Sequence, residues 1–329
     1  MEMLFGHKSQ RSHRLPNHPV FKDIWESCAK ELRGKGFETE VYFVQGGVGV
    51  KILNDDHPSI AKIAHLPISE FDFSEVSNPT LAHLEFFHLK GLRLSRSPEI
   101  HFSELSPFSL RRIYADYSQT NDFSALSMHP LEDLSLCHSD LNDLAFLKEA
   151  KLNAFFTANN PIDSINDLNP EQLTVLDLFK CPISDLGPLA DSQIEELNLN
   201  ATMVSDLSPL SGKSLRKLEM RATQVHDLTP LTDCPLEILH LPGSQIKSIA
   251  PLSYLPIKEI NIIGLSIENL SPLLTMPIEQ LSISPDKLTN AQFELLREIK
   301  CNFLIGPGDP PDQAPTCFFE KYENGERRS

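Results

Sequence analysis

The stretch IEELNLNATMVSDLSPLSGKSLRKLEMRATQVHDLTPL, residues 194–231, contains one pattern twice. Apolar residues follow Ile194 at offsets 3, 5, 10, 13 and 16, and the same offsets after Leu215 are again apolar. The two starting residues are 21 positions apart. A fixed period of this length is typical of repeat proteins, in which each unit buries its apolar face against the next.

The same period governs most of the chain. An aliphatic residue opens each unit, and nine successive starts keep one register: Leu110, Leu131, Leu152, Leu173, Ile194, Leu215, Leu236, Ile257 and Ile278. The frame extends backwards, less regularly, through Leu89 and Ile68. The period therefore predicts roughly eleven or twelve coils.

Each unit has two halves. In the first half, alternating apolar residues predict a short strand whose side chains point in turn to the core and to solvent. Offset 8 usually holds a small polar residue, such as Thr202, that can hydrogen-bond the turning backbone. The second half reads DLxPL, in which the Asp can cap a short helical turn. These offsets match leucine-rich repeats, so we predict an α/β solenoid, a leucine-rich-repeat horseshoe with a parallel concave sheet and short convex turns.

Both ends are predicted to have caps, because a solenoid otherwise exposes its apolar interior. The predicted segments are a disordered tail at 1–15, an N-terminal cap at 16–46, leucine-rich repeats at 47–298, and a C-terminal cap and tail at 299–329. The N-terminal cap is a helix and a hairpin, and the apolar face of the helix is formed by Val20, Ile24, Cys28 and Leu32. At the other end, we expect a helix capped by Thr289 or Asn290, and Phe318, Phe319 and Tyr322 over the last coil.

Coils such as VSDLSPL and VHDLTPL resemble those of a bacterial leucine-rich-repeat family whose repeats often lie beside serine/threonine kinase domains. Its members tend to finish with an F-W-x-x-Y-x-x-G motif. The ending CFFEKYENGE at 317–326 is similar, although Phe319 stands where the family prefers Trp. The resemblance covers about residues 40–326 and implies the repeat fold. It also implies an alternative function, a regulatory or sensory subunit that acts with a separate kinase.

Charge and motifs argue against several function classes. The chain has 29 Lys and Arg against 45 Asp and Glu, a formal charge of −16 that disfavours nucleic acids and anionic membranes and favours a basic partner. Neither a kinase motif nor an HExxH or CxxC spacing occurs, and the glycines at 46–49 fit a hairpin better than a phosphate loop. We therefore predict no cofactor, no metal and no enzymatic activity.

The expected location is the cytoplasm. The N-terminus lacks the apolar segment of a signal peptide, and nowhere do 18 apolar residues run together. The six cysteines are widely spaced, which fits reduced thiols better than a disulfide scaffold.

The outward strand positions predict a binding surface on the concave face. Aromatic residues and arginines dominate binding energy at protein interfaces, and several occupy these positions, where the core does not require large side chains. The predicted surface is centred on Tyr114, Tyr117, Phe156 and Phe179, with Arg93, Arg96 and Arg112 at one flank and Lys180 at the other. Incidental exposure is the alternative interpretation. The predicted function is a non-catalytic scaffold that binds another protein, basic or a kinase, and the oligomeric state is left open.

Overall fold

The computed structural model describes residues 19–44, 47–77, 79, 81–97, 101–120 and 122–323. Two compact units divide the chain, Met1–Asp140 and Leu141–Ser329. The predicted disordered tail at 1–15 lies outside the described residues. The predicted segment boundaries stay a prediction, and each unit is described separately below.

The first unit contains a helix, an antiparallel hairpin and parallel strands. The elements are helix α1 (Pro19–Gly34) and strands β1 (Thr39–Val44), β2 (Gly47–Ile52), β3 (Ile68–Asp72), β4 (Gly91–Arg93), β5 (Arg112–Tyr114) and β6 (Asp133–Ser135). Strands β1 and β2 are antiparallel, and each strand from β2 to β5 pairs in parallel with the next. Short 3-10 helices connect the parallel strands at Ile60–Ile63, Leu84–Phe86, Phe102–Leu105 and Ser124–Met128.

Helix α1 packs on the hairpin through a face that differs in part from the predicted one. Two predicted positions are buried, Cys28 and Leu32. Ile24 is 38% exposed, so the prediction was wrong there. Trp25, the next residue, faces the hairpin instead, and its Nε1 donates to the Val41 carbonyl at 2.8 Å. This bond satisfies an acceptor of β1, the outer strand of the hairpin. The side chain of Val20 lies outside the described part of the structure.

The second unit is a run of eight parallel strands. They are β7 (Ala154–Phe156), β8 (Val175–Asp177), β9 (Glu196–Asn198), β10 (Lys217–Glu219), β11 (Ile238–His240), β12 (Glu259–Asn261), β13 (Gln280–Ser282) and β14 (Phe303–Ile305). Leu176 pairs with Leu197, and Leu197 pairs with Leu218, so the register follows the 21-residue period. The unit also contains helices α2 (Asn290–Leu295) and α3 (Pro315–Glu323). The predicted leucine-rich-repeat solenoid is confirmed.

Most return segments in the second unit are 3-10 helices rather than α-helices. They are Ala145–Leu147, Gly187–Asp191, Ser208–Leu210, Thr229–Leu231, Ala250–Leu252, Ser271–Thr275, Pro285–Lys287 and Leu296–Glu298. The Asp of DLxPL acts from just outside the helix: Asp206 Oδ1 accepts from the Ser208 N–H at 2.8 Å. Leu210 closes the turn by burying its side chain in the core.

In several coils the small polar residue at offset 8 holds the buried turn after the strand, although Leu265 stands there in one coil and the Ser244 hydroxyl has no hydrogen-bond partner among the described residues. Thr202 Oγ1 donates to the Leu199 carbonyl at 2.7 Å, and the Cys181 thiol donates to the Thr157 carbonyl at 3.1 Å. Burial raises the pKa of Cys181 to about 11, so its thiol stays protonated at neutral pH. This cysteine is therefore a structural part of the coil.

The C-terminal elements cover the last strand of the second unit. Helix α2 begins after Thr289, whose side chain forms a capping box with Gln292. In α3, Phe318 is fully buried and its ring lies 6.2 Å from that of Phe293. The Tyr322 hydroxyl lies 3.2 Å from Asp309 Oδ2.

Candidate functional site

In each coil from that of β3 to that of β12, one residue has a left-handed backbone just after the strand. In the first unit these residues are Glu75 (φ 72°), Arg96 (64°), Tyr117 (62°) and His138 (56°). The N–H of Tyr117 donates to the Cys137 carbonyl at 2.8 Å, so the turn keeps the hydrogen bonding between coils. Glycine adopts this conformation most easily. In the second unit the equivalent residues are Asn159, Lys180, Ala201, Ala222, Gly243 and Gly264.

The four left-handed residues of the first unit form a continuous stack, which we call the Tyr117 stack: Glu75, Arg96, Tyr117 and His138. The Arg96 guanidinium lies 5.0 Å from the centre of the Tyr117 ring and 3.4 Å from the Glu75 carboxylate. The rings of Tyr117 and His138 are nearly parallel, with centroids 4.5 Å apart. Tyr117 is 37% exposed. The stack therefore presents large side chains to solvent at positions where glycine would cause less strain.

A second group lies on the sheet face of the same unit, and we call it the Glu70 cluster: Tyr42, Glu70, Arg93 and Arg112. The buried Glu70 carboxylate accepts from Arg93 Nε at 2.7 Å, from Arg112 Nε at 3.1 Å and from the Tyr42 hydroxyl at 3.1 Å. Gly91 makes this possible, because a Cβ there would stand 2.3 Å from Glu70 Oε2. The glycine on β4 thus lets a carboxylate from β3 reach an arginine on β5.

Tyr114 extends the cluster toward solvent. The Arg93 guanidinium lies 4.1 Å from the centre of the Tyr114 ring, which is a cation–π distance. Burial raises the pKa of the Tyr114 hydroxyl to about 12, so the side chain stays neutral. All five predicted residues of the first unit therefore belong to, or contact, one of the two groups. Arg112, however, is only 7% exposed, so its guanidinium is not a free surface group as the sequence implied.

The other three predicted residues belong to the second unit. Phe156 is 8% exposed, which contradicts the expectation that it stands free on the sheet face. Phe179 is half-buried and Lys180 is exposed, with the Lys180 ammonium 5.0 Å from the centre of the Phe179 ring. These two residues form a single cation–π pair rather than a longer stack.

Amides and carboxylates are common on the sheet face of the second unit. Asp177 accepts from Asn198 Nδ2 at 2.8 Å, and Asn200 Nδ2 donates to Glu219 at 2.9 Å. His240 Nε2 lies 2.9 Å from Glu259. Burial raises the pKa of the Asp177 carboxyl to about 6. The carboxylates of this face are held by neighbouring coils.

Sequence reasoning missed the centre of the first unit's site. Glu70 was not predicted, although it stands at offset 2 of the coil that begins at Ile68. Offset 2 in the following coils gives Gly91, Arg112 and Asp133. A glutamate, a glycine and an arginine in one outward column would have indicated a buried ion pair across the glycine.

Comparison with solved structures supports the fold. An internalin from Listeria monocytogenes has a TM-score of 0.63 at 19% identity, over 76% of this chain and 83% of that chain. The functional domain of InlJ from the same organism, which includes a cysteine ladder, has a TM-score of 0.50 at 17% identity, over 69% of this chain and 55% of its own. At these identities the likeness concerns the fold alone. No protein-family model and no curated protein matches this chain.

Two features are absent from the described residues. Within them, no group of three or more His, Cys, Asp and Glu side chains is arranged to hold a metal ion. None of the helices in the described ranges has both the length and the apolar character needed to cross a membrane.

Proposed function

We propose that this chain is a non-catalytic scaffold that binds another protein through the sheet face of its first unit. The binding residues are Tyr114 and Tyr117 with Arg93, Arg96 and Arg112. In the second unit, Phe179 and Lys180 form a separate and smaller contact, and the buried Phe156 supports the fold beside them.

The observation that carries this proposal is the Tyr117 stack. Left-handed backbone costs roughly 1–2 kcal/mol for a residue other than glycine. The second unit reduces this cost with Gly243 and Gly264 at the same backbone position. The first unit keeps Arg96, Tyr117 and His138 there, although their exposed side chains add little to the core. Tyr and Arg are enriched among residues that dominate interfaces, so binding explains their presence.

Site-specific photo-crosslinking tests the proposal. A benzophenone amino acid replaces Tyr117 in one variant, and Ala222, at the same backbone position of the second unit, in another. A third variant carries it at Met128, which is 67% exposed and lies on a return segment of the first unit. We expect a specific protein adduct from position 117 in native lysate, lost when Tyr114 is also changed to alanine. Equal labelling from positions 117 and 128 would contradict the proposal.

The kinase-associated alternative rests on the resemblance of the repeats and of the C-terminal ending alone. It requires that phosphorylation by a separate kinase changes when the chain is added. Unchanged phosphorylation in a kinase assay would therefore exclude this alternative. The cytoplasmic location and the lack of enzymatic activity stay predictions from the sequence. Fractionation of native cells tests the location.

A further inference from the structure

The Glu70 cluster contains more positive than negative charge. One carboxylate, Glu70, meets two guanidinium groups, and each arginine uses its Nε for that contact. Asp133 pairs with Arg112 in the strand register, but no ion pair joins the two among the described residues. Burial raises the pKa of the Asp133 carboxyl, whereas the nearby charges of Arg112 and Arg93 lower it.

Arg112 has an unused hydrogen-bonding group in this cluster. Its side chain is 9% exposed, and its Nη2 has no hydrogen-bond partner among the described residues. A buried donor without an acceptor costs about 1–3 kcal/mol, and more when the group is charged. Such an atom is therefore expected to gain an acceptor in a bound state.

The neighbouring side chains suit a planar anion. Arg93 and Tyr114 are half-buried, and both are more exposed than Arg112. Two guanidiniums beside one another match the geometry of a carboxylate, because an arginine can donate two parallel hydrogen bonds to its oxygens. Arg96 of the Tyr117 stack, which pairs with Glu75, adds an exposed guanidinium on the same coil as Arg93.

Resting on the function proposed above, we propose that the partner places the carboxylate of an Asp or Glu side chain on Arg112 and Arg93, beside the Tyr114 ring. The partner's remaining contacts lie on the Tyr117 stack. A single carboxylate is compatible with a chain of formal charge −16, because exposed charges are screened beyond about 8 Å at physiological ionic strength. The rest of the partner can then be neutral or basic.

Selection from a displayed library of random peptides tests this inference on the full chain. We expect the selected peptides to share one acidic position. Synthetic copies with an amidated C-terminus, which lack a terminal carboxylate, should bind roughly ten- to a hundredfold more weakly when that residue becomes Asn or Gln. This comparison uses the unaltered protein and does not depend on a variant folding.

Protein variants locate the site. Arg112→Lys keeps the charge but removes the guanidinium fork, and it should lose most of the preference for the acidic peptide. Arg111→Lys is the matched control, because Arg111 is exposed and pairs with Glu132. Peptides that need Tyr117 but bind equally with Asn in place of Asp would overturn the carboxylate inference and leave the proposed function intact. A library that yields no peptide dependent on Tyr114 or Tyr117 would contradict both.

Discussion

The sheet faces of the two units hold buried polar groups in different ways. In the first unit, two arginines and a tyrosine meet one carboxylate, Glu70. In the second, the buried Asp177 carboxylate accepts from Asn198, and the buried Glu219 carboxylate accepts from Asn200 and pairs with Lys217 at 3.0 Å. The residues with a left-handed backbone also differ between the units. They are large in the first unit and small at most of the equivalent positions in the second.

This difference shows that, in such a fold, the direction in which a side chain points does not determine how exposed to solvent it is. Parallel strands lie about 4.8 Å apart, so side chains at one offset cover those of the next coil. A residue that points away from the core can still be buried, as Asn198 is at 2% exposure. Each buried polar group then needs a hydrogen-bond partner from a neighbouring coil, so the polar residues of the sheet face affect the stability of the fold.

The largest expected effect comes from placing a charge in the core of the second unit. Leu199 is fully buried, so Leu199→Asp leaves an unpaired carboxylate among the leucines of neighbouring coils. We expect a loss of about 4 kcal/mol or more in unfolding free energy. Urea titration followed by circular dichroism measures it.

The adjacent substitution Asn198→Asp is the matched variant. On sequence alone it would be nearly harmless, because residue 198 points outward. The structure revises this expectation, since the new carboxylate would replace the amide that donates to Asp177. We expect a loss of about 1–2 kcal/mol. Equal losses for the two variants would show that the strand phase is wrong.

The second prediction tests the first unit's face. Glu70→Gln removes the charge that two buried or half-buried arginines share. Breaking a buried ion pair by removing one partner typically costs about 3 kcal/mol or more. Glu75→Gln, on an exposed pair with Arg96, should change stability by well under about 1 kcal/mol. Similar urea midpoints for the two variants would indicate that the Glu70 cluster is solvated.

The third prediction concerns pH and the second unit's face. The pKa of Asp177 is raised from 3.8 to about 6, so the folded state binds its proton more tightly than the unfolded state. Its contribution to stability is present below pH 3.8 and is lost as the pH rises through about 6. Asp177→Asn removes this pH-dependent loss. The unfolding free energy of the variant, relative to that of wild type, should therefore rise by on the order of 2 kcal/mol between pH 4 and pH 7.

Asp206→Asn gives a control of opposite sign. Hydrogen bonds from Ser208 lower the pKa of the exposed Asp206 carboxyl, so its contribution is lost as the pH falls. Unfolding titrations at several pH values separate the two behaviours. A pH dependence of the same sign in both variants would show that Asp177 is not desolvated in the folded chain.

The coils could be predicted from the sequence because the apolar residues that pack between them recur at a fixed period. Residues such as Leu197 and Leu218 must meet across neighbouring strands, and their 21-residue spacing is visible in the sequence alone. The cap of helix α2 was predictable as Thr289 or Asn290 for a different reason, because a helix start needs a local side-chain acceptor.

The candidate site was predictable only in part. Alternation placed Tyr114 and Arg112 on the sheet face, but the burial of Arg112 depends on Glu70, which is 42 residues away in the chain. The left-handed conformation of Tyr117 was also missed. In the sequence, glycine occupies the equivalent position only in later coils, at Gly243 and Gly264. Only an alignment of all the coils would have indicated the same left-handed backbone at Tyr117.

The last prediction concerns those left-handed positions and has the smallest effect. Ala222 has φ 55°, and the equivalent residue of the next coil is Gly243. Ala222→Gly should stabilise the chain by about 1 kcal/mol, because the relief of backbone strain exceeds the added entropy of the unfolded chain. Gly243→Ala should destabilise it by a similar amount. A Cβ at Gly243 would meet its nearest atom at 3.7 Å, so backbone strain rather than crowding determines the sign.

The matching change in the first unit is Tyr117→Gly, in which the relief of strain is offset by the loss of ring contacts worth about 1 kcal/mol. Its unfolding free energy should therefore stay close to that of wild type, while the peptides or protein bound through the Tyr117 stack are lost. Urea unfolding beside a binding assay measures both effects. If Ala222→Gly is destabilising, the left-handed positions do not disfavour side chains. Tyr117 would then need no functional explanation, and the proposed binding face would lose its main support.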